Sequence, residues 1–60
     1  MKTSELLKVL RKAGCTIDRH GRRHDKWINP KTGEFDWVPR HAAEVHTGLA
    51  QAILRKLVGE

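Results

Sequence analysis

Between Arg19 and Lys26 the chain gathers Arg19, His20, Arg22, Arg23, His24 and Lys26, interrupted only by Gly21 and Asp25. This composition suits RNA strand scission. Attack of a ribose 2′-hydroxyl on its own phosphate needs a base to take the hydroxyl proton and cations to stabilise the added negative charge on phosphorus. It needs neither a water nucleophile nor a metal. An imidazole titrates near neutral pH and passes protons, so His24 is the candidate acid–base group, and Arg19, Arg22, Arg23 and Lys26 are its nearest cations in sequence. One acid–base histidine typically contributes ~10²–10⁴-fold in rate, and each well-placed electrostatic donor a comparable factor. The plainer alternatives are a solvated charged loop for the run and an ordinary surface residue for any one of the four histidines.

Other chemistries are less well supplied. Cys15, His20, His24, His41 and His46 include a His-x3-His spacing, but structural zinc sites present paired cysteines or a compact Cys2His2 pattern. Asp18, Asp25, Glu34 and Asp36 form no recognisable magnesium-binding run. Neither metal nor cofactor is therefore expected. Cys15 falls at an apolar strand position and reads as a small core residue. At least one of Trp27 and Trp37 should anchor the core; the other could stack on a base, although the repeated aromatics of a single-strand platform are missing.

A chain of 60 residues is expected to form a single domain over 1–60. Such a domain buries only about 60% of its unfolded surface, so a partner subunit would add useful stability. Twelve Lys and Arg against seven Asp and Glu leave a charge of +5, which favours polyanions, with nucleic acid foremost. A single cysteine excludes an internal disulfide, and no apolar N-terminal run suggests a leader or a membrane span; a cytoplasmic protein is expected.

The elements that must position these residues can be traced in order. Thr3 or Ser4 is expected to cap a helix with Leu6, Leu7, Val9, Leu10 and Ala13 on one broad face, ended by Gly14. Alternation then predicts a strand from Cys15 to about Arg19, a polar connection over His20–Arg23 and a second strand from His24 to Ile28. Asn29, Pro30, Lys31, Thr32 and Gly33 supply turn chemistry, Phe35–Val38 a third strand, and Pro39 its close. Arg40–His46 reads as an irregular connector with room for a helical turn over Ala42–Val45. A last helix starts near Thr47, the expected cap, and carries Leu49, Ala50, Ile53, Leu54 and Leu57 as an apolar stripe up to Gly59. The predicted class is α+β: a three-stranded antiparallel sheet with two helices packed on one face, in the order α-β-β-β-α.

The chain also resembles the HicA, or YcfA-like, toxin family over nearly its whole length. The resemblance is carried by Ser4-Glu5-Leu6, by Gly14, by His24-Asp25-Lys26-Trp27 ahead of Asn29-Pro30, by Lys31-Thr32-Gly33, by Val38-Pro39-Arg40-His41, and by the glycine-led run Gly48–Leu54. It implies a fold like that of double-stranded RNA-binding domains, ribonuclease activity on mRNA and other RNA, and a HicB antitoxin that covers the active site. The family's catalytic histidine falls on His24, although Arg22 and Arg23 stand where small residues usually precede it. Fold alone does not imply catalysis. A binding-only module for RNA, and a subunit whose basic face docks an acidic partner protein, are the alternatives from other functional classes.

Overall fold

The computed structural model describes residues 1–59; Glu60 lies outside them. The elements are α1 (Thr3–Lys12), β1 (Thr16–His20), β2 (His24–Ile28), β3 (Phe35–Pro39) and α2 (Thr47–Leu57), and the strands form one antiparallel sheet in the order β1-β2-β3. This is the predicted α-β-β-β-α arrangement. The strand limits differ slightly from expectation. Strand β1 starts at Thr16 and runs on to His20, and Pro39 is the last residue of β3, paired with His24. A proline is tolerated there because β3 is an edge strand, where its missing N–H leaves no partner wanting.

Successive residues of a strand face opposite sides, and this sorts the sheet into two surfaces. The inward surface pairs Ile17 with Trp27, Asp25 with Val38 and Trp27 with Asp36. Trp27 and Val38 join Leu6, Leu10, Cys15, Val45, Ala50, Ile53 and Leu57 in the buried core under the two helices. The open surface pairs His24 with Pro39, Lys26 with Trp37, and Ile28 with Phe35. A register irregularity between Ile17 and Arg19 sets Arg19 opposite Lys26, while Asp18 reaches Lys26 Nζ at 3.4 Å.

Both helix starts depart from the expected caps. Thr3 is already helical and buried, and its hydroxyl has no partner among the described residues; Lys2 holds the N-cap position without a side-chain bond. Backbone contacts to the connector replace the cap. Thr3 N–H donates to the Ala43 carbonyl at 3.1 Å, Val45 N–H to the Met1 carbonyl at 2.8 Å, and Lys2 bridges Glu44 in antiparallel fashion. Residues Ala43–Val45 therefore pair with the chain start, and no helical turn forms over Ala42–Val45; Val45 enters the core. At α2 the cap is His46, whose Nδ1 accepts from Gly48 N–H at 3.1 Å, in place of Thr47. Leu49 leaves the expected stripe and is 44% exposed, because the contact surface of α2 is narrower than its apolar face. Among the described residues no helix is long and apolar enough to cross a membrane.

The far end of the sheet is fastened by Asn29. Its Nδ2 donates to the Leu57 carbonyl at 2.7 Å and its Oδ1 accepts from Lys31 N–H at 3.0 Å. Its backbone N–H reaches the Glu34 carbonyl, and its own carbonyl accepts from Thr32 and Gly33. One buried side chain thus satisfies a helix-terminal carbonyl and shapes the β2–β3 turn. Asn29→Ala is expected to destabilise the protein by about 1–3 kcal/mol in denaturant unfolding, since it leaves the Leu57 carbonyl with only a long contact to the Cys15 thiol; an unchanged midpoint would remove this role.

Candidate active site

His24 opens β2 directly after the turn formed by residues 21–23. That turn is tight because Gly21 has no side chain: a Cβ there would collide with the His24 carbonyl, and would also lie 3.8 Å from Trp37 Cζ3. His24 is exposed, and its imidazole makes no hydrogen bond among the described residues. With Gly21, Arg22, Arg23, Trp37 and Leu49 it lines a concavity of about 380 Å³. Two guanidinium-bearing residues thus flank the candidate acid–base group on one side, and two large apolar side chains complete the hollow.

The turn is held from below by Arg40. Its N–H donates to the Arg23 carbonyl at 2.9 Å and its Nη1 to the Gly21 carbonyl at 3.0 Å. Its Nε lies 3.9 Å from Asp25 Oδ1, which is also 3.1 Å from His20 Nδ1. The Asp25 side chain is only 12% exposed, on the inward surface opposite Val38, whereas its neighbours His20 and Arg40 reach solvent. The carboxylate therefore gathers residues from both sides of the turn. At these distances and exposures its value is chiefly geometric, since partly solvated ion pairs contribute little to stability.

The sequence-predicted site residues separate into two groups. Arg22 and Arg23 lie with His24 around the concavity. Arg19 and Lys26 share the open surface but do not line it; Lys26 is engaged by Asp18 and sits 4.3 Å from the Phe35 ring centroid. Gly21, Asp25, Leu49 and Arg40 belong to the site or its support and carried no assigned role there from sequence, whereas Trp37, the exposed one of the two tryptophans, is the one left for the base stacking that the sequence allowed. For Asp25 a signal existed: counting from the anchoring Trp27, a period of two turns its carboxylate inward amid cations.

The remaining candidates are occupied elsewhere. Cys15 is buried with Sγ 3.8 Å from the Leu57 carbonyl, and desolvation pushes its thiol pKa up, which disfavours the nucleophilic thiolate. His20 pairs with Asp25 and His46 caps α2. Among the described residues no three of His, Cys, Asp and Glu come together to hold a metal ion.

Fold and site define a small basic α+β protein with a histidine-centred hollow at one end of its sheet. The chain belongs to the HicA toxin family of bacterial toxin–antitoxin, which it matches over residues 3–57. The match runs from the first residue of α1 to the last of α2, so every element and every residue lining the hollow lies within it. No curated protein and no solved structure matches the chain.

Gly21→Ala should cost about 1–3 kcal/mol on unfolding and shift the His24 imidazole resonances, because the new methyl meets backbone that cannot yield without moving the turn. Asp25→Ala should leave the helices intact by circular dichroism but raise amide exchange across residues 21–23; unchanged exchange would deny Asp25 its supporting role.

Proposed function

We propose that this protein is the toxin of a type II toxin–antitoxin pair and acts as a metal-independent RNA endonuclease, an mRNA interferase, with His24 as its general acid/base. The observation that carries this reading is the open imidazole of His24 on a hollow flanked by Arg22 and Arg23. In the reaction the 2′-oxygen–phosphorus bond forms as the phosphorus–5′-oxygen bond breaks, leaving a 2′,3′-cyclic phosphate and a 5′-hydroxyl. His24 takes the proton from the 2′-oxygen, and solvent supplies the proton required by the departing 5′-oxygen. Arg22 and Arg23 stabilise the charge that accumulates on the phosphoryl oxygens. Arg19 and Lys26, further along the open surface, contact more distant phosphates.

A HicB antitoxin is the proposed restraint. A partner segment laid over the His24 hollow would neutralise the arginines and, by binding only the folded toxin, add to a thin stability.

One observation favours a second reading, a non-catalytic RNA-binding module. No side chain among the described residues hydrogen-bonds His24 to orient it, whereas catalytic bases are commonly held by a third group. Cleavage of a labelled single-stranded RNA in EDTA separates the two. The wild type is expected to cut, and folded His24→Ala to lose at least about 100-fold in rate. Equal cutting by His24→Ala would overturn the role of His24, and salt-sensitive binding without products would establish the module.

A further inference from the structure

Trp37 is the aromatic ring that the fold leaves free. Trp27 is buried, with the Arg11 guanidinium 5.5 Å from its ring centroid, and Phe35 has Lys26 Nζ at 4.3 Å and Lys56 Nζ at 5.4 Å. Among the described residues no cation covers Trp37, which is 43% exposed. Leu49, from the first turn of α2, is exposed to a similar degree and lines the same hollow. Two large apolar groups are thus left in water beside the imidazole of His24 and the arginines of the turn.

A nucleotide divides its chemistry in the same way. Its base offers flat apolar faces, and its phosphates are anionic. The hollow, at about 380 Å³, is shallow and largely open to solvent, so it would cover one face of a base and leave the rest of the strand outside. We propose that Trp37 and Leu49 form a nucleobase cleft next to His24, which holds one unstacked base of single-stranded RNA while Arg22 and Arg23 engage the adjoining phosphates. The inference rests on the ribonuclease reading and adds the residues that would hold a base beside the reacting phosphate. Stacking on an indole requires a base whose face is free; in an A-form duplex that face is covered by its neighbours, and a protein meets mainly 2′-hydroxyls and phosphates. The charge of the rim favours an anionic strand over an uncharged apolar partner.

The test uses the full chain and a short mixed-sequence RNA with every 2′-oxygen methylated, which cannot be cleaved through that oxygen. Affinity of the wild type and of each variant is read by fluorescence anisotropy of an end-labelled strand, and contact with Trp37 by quenching of the wild-type tryptophan emission, with Trp37→Leu supplying the Trp27 baseline. Trp37 is 43% exposed and outside the buried core, so leucine keeps an apolar side chain at the position, and circular dichroism checks the fold. The single strand is expected to quench the wild type and to bind Trp37→Leu roughly ten-fold more weakly. Trp37→Phe should recover part of the affinity, and the same strand in a blunt duplex should give no quench. Equal affinity for Trp37→Leu, quenching by the duplex, or no binding of the strand would each overturn the cleft. A response of Trp37 to purified HicB antitoxin alone would overturn it too, and would assign the surface to the antitoxin. Cleavage of the unmodified strand keeps the two ideas apart. Quenching without cutting leaves the cleft and removes the nuclease, whereas equal kcat and KM for wild type and Trp37→Leu leave the nuclease and remove the cleft.

Discussion

Strand β2 is the central strand of the sheet, and its two-residue alternation determines what each side of the molecule can do. Asp25 and Trp27 turn inward, toward the helices, while His24 and Lys26 turn out. A slip of one residue would put the indole of Trp27 in water and the imidazole of His24 in the core. The burial of Trp27 among Leu6, Leu10 and Ile53 therefore does more than stabilise a small sheet: it fixes the phase that presents His24.

So short a chain has few apolar residues with which to enforce that phase, and polar contacts supplement them at both ends of the sheet. At one end Asn29 ties the β2–β3 turn to the last turn of α2. At the other, Arg40 joins the exit of β3 to the turn before β2. The start of the chain is paired with residues 43–45, so the connector between β3 and α2 is held by backbone hydrogen bonds although it has no helix or strand of its own.

The order of elements was legible because its signals are local: alternation in the strands, three- and four-residue spacing in the helices, and glycines at their ends. Gly14 and Gly59 do adopt φ of +93° and +83°. What escaped was non-local. Nothing near Thr3 announces that its N–H will be met by Ala43, or near Gly48 that an imidazole will outcompete a threonine as cap. The candidate site was legible in its charges and less so in its walls. His24, Arg22 and Arg23 come from one run and meet around one hollow. Trp37 and Leu49 come from two other elements, and only tertiary packing shows that they join that hollow while Trp27 does not.

The tight approach of Gly21 to the His24 carbonyl has a consequence for the entropy of recognition. A loop bearing two arginines would ordinarily lose backbone freedom on gripping a phosphate chain. Here the Gly21 and Arg23 carbonyls are already engaged by Arg40, so the turn is largely set before any ligand arrives. What remains to be ordered is side-chain rotation, at about 0.5–1.5 kcal/mol for each immobilised side chain. A phosphate chain bound as proposed would meet a preorganised backbone frame, and the adjustment left would be that of exposed side chains, the two arginines among them.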